Sequence, residues 1–327
     1  MAQSETRSAY VPARETRRPA PDRLPRRVKQ WELVRLAAEG PLTRLYQAQP
    51  VGAAPGRPAC YALKLLRPEW EGDPRALSLI CREALVGHTV RHPHVISVLG
   101  ASLRRPPYFL VMPWLRGTTL AERLGAGGGG AAGVGCGAGR PLAARAEPPP
   151  IDLPAALWIV RQAAEALDAL HAAGWMHGDV KPSNLMLSPD CHVTLLDLGF
   201  ARRPTEPTSV AQRCVMGTCN YLAPEMVSSA LRADIRSDIY SLGVMLFEML
   251  AGRLPFAAPD LAGLIELHQH ARAPDLRRLV PHLPTGVIRL VREMLAKEPL
   301  RRPQTPRELI DRLVGLEIAT FAERAAG

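Results

Sequence analysis

Four polar residues near the middle of the chain have the types and spacing needed for metal-assisted phosphoryl transfer. Asp179, Lys181 and Asn184 lie in the stretch HGDVKPSN, and Asp197 begins the tripeptide DLG. Amide and carboxylate oxygens suit Mg²⁺, so Asn184 and Asp197 are candidate metal ligands. Asp179 would orient an attacking hydroxyl and accept its proton, while Lys181 would steady the γ-phosphate of ATP. Transfer of that phosphoryl group depends mostly on such positioning and on charge neutralisation.

The residues between these two stretches predict a β-hairpin. LML (185–187) is apolar, SPDC (188–191) has turn chemistry, and HVTLL (192–196) is rich in strand-forming residues. A hairpin with these bounds would hold Asn184 and Asp197 on either side of one pocket.

Two charged residues upstream have the order expected of a phosphate-binding ion pair. Lys64 lies in the apolar run CYALKLL, which predicts a strand, and Glu83 follows on a helix opened by Asp73 and Pro74. Apolar residues at helical spacing predict one packed face on this helix, formed by Leu77, Ile80, Cys81 and Ala84.

Together these stretches resemble the catalytic loop, metal-binding triplet and ion pair of the eukaryotic-like Ser/Thr protein kinases, in an HGD variant. Downstream, GTCNYLAPE (217–225) resembles the end of a kinase activation segment, and SDIYSLGVMLFEMLAG (237–252) predicts a buried helix ending at Gly252. The resemblance implies that Lys64 reaches the α- and β-phosphates of ATP and that Glu83 holds it there.

The same resemblance assigns supporting and adenine-binding residues. Asp238 would brace the catalytic loop, and Arg302 would pair with Glu225. The stretch PPYFLVMPWLRGTTL matches the fifth strand and hinge, and its residues beside the adenine would be Met112, Pro113 and Leu115. Because proline has no N–H, Leu115 would supply the hydrogen-bond donor.

The implied architecture is an α+β bilobal protein kinase fold, with a small β-rich lobe and a larger helical lobe. We expect a disordered basic arm over 1–29, the small lobe and hinge over 30–115, and the large lobe over 116–318. Residues 319–327 would form a C-terminal tail. Within the large lobe, the Gly/Ala-rich and then Pro-rich segment 125–150 has too few large apolar residues to pack and is predicted to be an insert.

The chain departs from the kinase pattern at three places. Ala38, Gly40 and Thr43 align with three glycines of the phosphate-covering loop, so only Gly40 keeps the residue that lets a backbone lie close to phosphates. Gly178 replaces an arginine that pairs with an activation-loop phosphate in related kinases, which predicts weak dependence on such phosphorylation. Leu198 replaces a phenylalanine and keeps the apolar contact.

Composition agrees with a globular enzyme and limits the partners. Of the net charge of +10, half comes from residues 1–29, which hold eight basic and three acidic residues. This arm is predicted to be solvated and disordered, and the alternative is docking to an acidic partner or a membrane surface. No nucleic-acid partner is expected. No signal peptide or membrane-spanning stretch is recognisable, so a cytoplasmic location is expected. The six cysteines form no CxxC pair and predict neither a disulfide framework nor a zinc site.

The predicted function is a non-specific Ser/Thr protein kinase that uses ATP with Mg²⁺ or Mn²⁺ and phosphorylates protein substrates, including itself. Two alternatives remain open at this point. A pseudokinase scaffold would fit the thinned glycine loop and HGD. An aminoglycoside-type phosphotransferase would share HGD, but that family lacks the GT…APE segment and the SDIYSLG helix.

Overall fold

The structure is a computed structural model that describes residues 26–54, 56–125, 150–204, 206, 219–227 and 233–326. Most of the basic arm, residues 126–149 of the predicted insert, and the Gly217–Thr218 pair lie outside the described residues.

The first lobe is an antiparallel sheet of six strands in the order β1-β2-β3-β4-β6-β5. Its strands are β1 (Arg27–Val28), β2 (Trp31–Glu39), β3 (Thr43–Pro50), β4 (Tyr61–Leu66), β5 (Gly100–Ser102) and β6 (Phe109–Pro113). Helix α1 (Pro74–Thr89) follows β4 and packs against one face of the sheet.

The alternation of β4 decides where Lys64 points. Successive side chains of a strand face opposite sides of the sheet. Ala62 and Leu66 are buried in the main core with α1, whereas Leu63 and Leu65 pack into a separate cluster on the other face. Lys64 shares the side of Ala62 and Leu66, so the strand directs its ammonium towards α1 and the interlobe cleft.

Helix α1 begins as predicted, but its packed face differs from the expected one. The Asp73 carboxylate accepts hydrogen bonds from the backbone N–H groups of Arg75 and Ala76, which caps the helix. Ile80 and Ala84 are buried with Glu83, while Cys81 is exposed. The prediction that Cys81 packs is therefore wrong, because the buried stripe turns towards Glu83 and the charge partners of that carboxylate.

The second lobe is mainly helical. In chain order its helices are α2 (Leu120–Arg123), α3 (Leu153–Ala172), α4 (Ile235–Ala251), α5 (Leu261–His270), α6 (Leu276–Leu279), α7 (Thr285–Met294) and α8 (Pro306–Ala326). Helix α4 is buried on almost every side and ends at Gly252, whose φ of 71° gives a left-handed cap. A small sheet next to the cleft contains β7 (Thr118–Thr119), β8 (Leu185–Leu187) and β9 (Val193–Leu195), which confirms the predicted hairpin. Among the described residues, no helix is long and apolar enough to cross a membrane.

Both ends of the folded unit extend beyond the expected boundaries. Arg27 and Val28 lie within the arm predicted over 1–29, yet they pair with β2, and the Val28 side chain is buried. The tail predicted over 319–327 continues helix α8 as far as Ala326. The stretch IATFAERAA contains neither Gly nor Pro. It therefore has no helix-breaking residue that would end the helix earlier.

Gly117, between the hinge and β7, is predicted to be important for the stability of the fold. Its φ is 142°, and a Cβ atom there would lie 2.0 Å from the backbone oxygen of Leu187. We expect Gly117→Ala to lower the free energy of unfolding by at least roughly 1–3 kcal/mol, measured by thermal or urea denaturation. In Gly72→Ala, the control, an added Cβ meets nothing within 4 Å. Equal stability of the two variants would contradict this prediction.

Candidate active site

A cleft of about 600 Å³ separates the two lobes and contains the predicted site residues. The residues from the sequence prediction that line it are Gly40, Lys64, Glu83, Met112, Pro113, Leu115, Asp179, Lys181, Asn184 and Asp197. Residues far apart in the sequence therefore meet around one cavity, as the motif order predicted.

Lys64 forms the central ion pair of this cleft. Its Nζ atom lies 2.7 Å from Glu83 Oε2 and 3.0 Å from Asp197 Oδ1. The side chain of Glu83 is only 4% exposed, whereas Asp197 is 36% exposed at the cleft. One ammonium thus joins β4, α1 and the segment that follows β9.

The two carboxylates beside Lys64 have opposite pKa shifts. Burial raises the pKa of Glu83 to about 7, and Asp197 adds to that shift although Lys64 opposes it. Burial also disfavours ionised Asp197, but Lys64 outweighs it and holds the pKa of Asp197 at about 2. Burial alone would lower the pKa of Lys64, yet Asp197 and Glu83 raise it above its ordinary value. One ammonium thus acts on both carboxylates, and the deeper burial of Glu83 is what gives the two groups opposite pKa shifts.

The catalytic-loop residues are mutually hydrogen-bonded. Lys181 Nζ lies 2.7 Å from Asp179 Oδ2. The Nδ2 atom of Asn184 donates to the backbone oxygen of Asp179 at 2.8 Å and to its Oδ2 atom at 3.1 Å. Because the amide nitrogen of Asn184 is directed at Asp179, its oxygen is the atom that can serve a cation. Asp179 is thereby held in one orientation by a cation and an amide.

A buried acid on α4 fixes the backbone that presents Asp179. Asp238 is 1% exposed, and its two carboxylate oxygens accept the backbone N–H groups of His177 at 2.7 Å and Gly178 at 2.8 Å. Gly178 has a φ of 79°. A residue with a Cβ would pay about 1–2 kcal/mol in this left-handed region. Gly178 therefore suits the loop conformation even though it lacks the arginine of related kinases.

The β8–β9 hairpin places Asp197 opposite the catalytic loop. The backbone N–H of Leu196 donates to Asn184 O at 2.8 Å, and the His177 ring lies 2.9 Å from Leu196 O. Asp197 itself has φ 57° and ψ 76°, which is uncommon for a non-glycine residue and is often found at functional sites. The metal-ligand candidates are thus connected through the main chain.

The hinge follows strand β6, as the sequence predicted. Met112 and Pro113 end β6, where they pair with Ala62 and Tyr61 of β4. The N–H of Trp114 donates to Cys60 O at 2.8 Å and is therefore occupied by the protein. This occupation supports the expectation that Leu115 supplies the N–H donor at the cleft.

Above the cleft, Gly40 lies in a tight turn between β2 and β3. Its N–H donates to Thr43 O at 2.8 Å, and its carbonyl accepts from Arg67 Nη1 at 3.2 Å. A shift in the β2–β3 register falls beside Ala38. Both polar groups of the Gly40 peptide are engaged within the protein.

Several cleft residues were missed by the sequence prediction. Thr119 and Glu122 line the cleft and form a reciprocal capping box at the start of α2. The pattern T-x-x-E is a readable signal for this box. Outside the cleft lining, Arg82 was also missed; it precedes Glu83, and its Nη1 atom donates to Ala201 O at 2.9 Å. No local pattern marks this second contact.

The predicted supports below the site are confirmed in position. Arg302 makes a two-point contact with Glu225, with Nη1 to Oε1 at 2.6 Å and Nη2 to Oε2 at 2.8 Å. Both residues are buried. Ser237 at the start of α4 donates to Glu225 Oε1 at 2.6 Å, which anchors the APE stretch to the same helix that carries Asp238.

The donor set suits a hard divalent cation that is also held by phosphates. Asn184 and Asp197 offer oxygen atoms, which Mg²⁺ and Mn²⁺ prefer. In the part of the chain that the structure describes, no group of three His, Cys, Asp or Glu side chains could hold a metal. Mg²⁺ is commonly held by one or two carboxylates together with substrate phosphates, so the residues present fit such an ion.

Glu83 should produce a distinctive pH dependence of stability. Its pKa is raised to about 7 in the folded protein, from 4.5. The folded state then binds more protons than the unfolded state in this interval, so stability falls as pH rises through it. Relative to Glu83→Gln, the free energy of unfolding of the wild type should decline by roughly 1–3 kcal/mol between these pH values. Denaturant titrations of both proteins without nucleotide or metal would measure this.

The control for this experiment is Glu69→Gln. Glu69 also pairs with a cation, here Arg67, but its side chain is 50% exposed. The free energy of unfolding of the Glu69→Gln variant should follow that of the wild type at every pH. If the free energies of unfolding of the wild type and Glu83→Gln changed in parallel with pH, the raised pKa of Glu83 would be contradicted.

Comparison with known proteins agrees with this geometry. Residues 55–312 match the protein kinase domain family. The chain is 32% identical to Serine/threonine-protein kinase pkn2 of Myxococcus xanthus, over 80% of this chain and 30% of that protein. It is 27% identical to Serine/threonine-protein kinase PrkC of Bacillus subtilis, over 86% and 39% respectively. It is 29% identical to Serine/threonine-protein kinase PknD of Mycobacterium tuberculosis, over 83% and 37%.

The chain thus spans between 30% and 39% of the length of these curated relatives. The residues matched to the family include Lys64, Glu83, Asp179, Lys181, Asn184 and Asp197 of the cleft. The chain belongs to the protein kinase domain family.

Proposed function

We propose that this domain transfers the γ-phosphoryl group of ATP to Ser and Thr hydroxyls of proteins, including its own. The observation that carries the proposal is the joint placement of Asp179 with Lys181 and Asn184 on one side of the cleft, and of Lys64 with Glu83 and Asp197 on the other. The Ser/Thr kinases among its relatives support the choice of hydroxyl.

Membership of the kinase family implies use of ATP and a divalent cation. We propose that this cation is Mg²⁺ or Mn²⁺, held by the Asn184 amide oxygen and the Asp197 carboxylate. When bound, the ion neutralises charge on the phosphates. Lys64, fixed by Glu83, would bind the α- and β-phosphates, and Met112, Pro113 and Leu115 would border the adenine.

The chain's own residues then account for orientation and proton transfer. The Asp179 carboxylate would accept a hydrogen bond from the substrate hydroxyl and take its proton as the oxygen attacks. Lys181, already 2.7 Å from Asp179, can bind the γ-phosphate and offset its growing negative charge. No observation favours a pseudokinase, because Lys64, Asp179, Asn184 and Asp197 are all present at the cleft.

The wider setting of the domain is also a proposal. We propose lobes divided near residues 115 and 116, with residues 125–150 as a dispensable insert. The basic residues of the 1–29 arm would suit an acidic partner. Because ATP is abundant in the cytoplasm, we propose that the domain acts there on protein substrates.

The central test replaces Asp179 by Asn. We expect kcat for phosphorylation of a generic Ser/Thr protein substrate to fall by about 100-fold or more, since the proton acceptor is lost while the shape is kept. Asp190→Asn is the control, because Asp190 is an exposed acid in the turn of the β8–β9 hairpin. Initial rates with labelled ATP and Mg²⁺, followed by identification of the phosphorylated residue type, would measure both. Full activity of Asp179→Asn, or labelling confined to tyrosine, would refute the proposal.

A second prediction concerns the loop above the cleft. The Cβ atoms of Ala38 and Thr43 keep the backbone farther from the phosphates than glycine would. The double variant Ala38→Gly/Thr43→Gly should therefore lower KM for ATP or raise kcat, in steady-state assays over a range of ATP concentrations. Ala54→Gly, at an exposed loop position outside the cleft, should change neither. If the double variant also changes neither, the loop does not limit ATP handling.

A further inference from the structure

The segment that follows DLG is joined to helix α1 by an arginine next to Glu83, the residue that holds Lys64. Arg82 immediately precedes Glu83, and its Nη1 atom donates both to Ala201 O at 2.9 Å and to Glu206 Oε2 at 2.5 Å. The side chains of Arg82 and Glu206 are 31% and 32% exposed. The contact therefore connects the helix that holds Lys64 to the chain a few residues beyond Asp197.

A second arginine reaches the same glutamate from below. Arg202 is 4% exposed, and its Nη1 atom donates to the backbone oxygen of Glu206 at 2.7 Å. Its Nη2 atom donates to Ala233 O at 3.2 Å, just before α4. Its main chain exchanges two hydrogen bonds with Met176, the residue before His177. Arg82 of α1 thus contacts the side chain of Glu206, and Arg202, which pairs with Met176 beside the catalytic loop, contacts its main chain.

Two arginine side chains contact Glu206, and their positive charges favour a negative charge at this position. Burial lowers the pKa of Arg202, and Arg82 lowers it further, whereas Asp238 and Glu206 oppose the shift. Two guanidinium groups this close repel one another unless an acidic group lies between them. In the described part of the chain, the Nε atom of Arg202 has no hydrogen-bond partner.

We propose that Glu206 is a built-in anion that positions α1, and through it Glu83 and Lys64, without phosphorylation of the activation segment. This inference rests on the proposed kinase function. Gly178 contributes no side-chain charge, and among the described residues Arg82 of α1 and Arg202 are the cations that contact Glu206. Glu206 touches neither substrate nor Lys64; it is a positioning residue that acts through Arg82.

The test compares Glu206→Gln with the matched control Glu293→Gln. The carboxylate of Glu293 pairs with Arg312 at 2.6 Å, with 33% and 31% of the two side chains exposed, but it lies on α7, outside the cleft. Both variants and the wild type are treated with phosphatase and shown by intact mass to carry no phosphate. Steady-state kinetics give kcat and KM for ATP, and hydrogen exchange follows the amides of residues 74–89.

In Glu206→Gln we expect kcat to fall about tenfold because Lys64 is less well placed. KM for ATP should change by less than about threefold, since the adenine contacts remain. Amides of α1 should exchange faster, because the helix loses an anchor. Glu293→Gln should match the wild type in all three. Adding Glu206→Gln to Arg82→Gln should cost little beyond Arg82→Gln alone, because the two residues act as one pair.

Three results would overturn the proposal. The first is wild-type kcat and wild-type α1 exchange in Glu206→Gln. The second is additive losses in the double variant. The third is a phosphatase-treated wild type that regains activity only when Thr205, Thr208 or Ser209 is phosphorylated, since a phosphate would then be the anion. A wild type without any kinase activity would refute the proposed function instead, and the α1 exchange would still decide whether Glu206 anchors the helix.

Discussion

The sharing of one lysine ammonium between two carboxylates is the constraint on which the site depends. Lys64, Glu83 and Asp197 come from a strand, a helix and the end of a hairpin, and their charged atoms meet within 3.0 Å. Removing one partner would leave a poorly solvated charge without compensation, which typically costs several kcal/mol. The sheet register, the rotation of α1 and the position of the β8–β9 hairpin must therefore agree closely, and each is fixed by its own packing.

The catalytic loop is held by a different device, hydrogen bonds from main chain to a buried acid. Asp238 accepts hydrogen bonds from two backbone N–H groups, and these aligned main-chain dipoles stabilise a carboxylate there. This grip imposes a left-handed backbone at position 178, where glycine avoids the cost of a Cβ. The same glycine removes a cation from the neighbourhood of the activation segment. Glycine at position 178 therefore avoids backbone strain in the catalytic loop, and in return this position supplies no positive charge to the activation segment.

The parts of the fold that the sequence could predict are those with a local period or a dense motif. The hairpin around SPDC, the end of α4 at Gly252 and the approach of Glu83 to Lys64 follow from alternation, capping chemistry and motif order. The exposure of Cys81 could not be predicted, because helical spacing alone does not say which side of an apolar stripe is buried. Arg82 and Glu206 are separated by 124 positions, and neither has a neighbour pattern that signals their contact.

The catalytic-loop side of the cleft, its floor, and the β2–β3 turn above it, its roof, hold their polar groups in different ways. On the floor, Asp179 is held by Lys181, by Asn184 and, through its backbone neighbours, by Asp238 on the most deeply buried helix. The roof is a two-stranded turn whose only glycine, Gly40, uses its N–H and carbonyl within the protein. A nucleotide phosphate that approached this turn would have to compete with the Thr43 carbonyl for the Gly40 N–H and with the Gly40 carbonyl for the Arg67 guanidinium. Each exchange of one hydrogen bond for another yields little net free energy. The loop departure from the kinase pattern therefore falls on the roof, whereas the residues proposed to handle the proton and the transferred phosphate are kept on the floor.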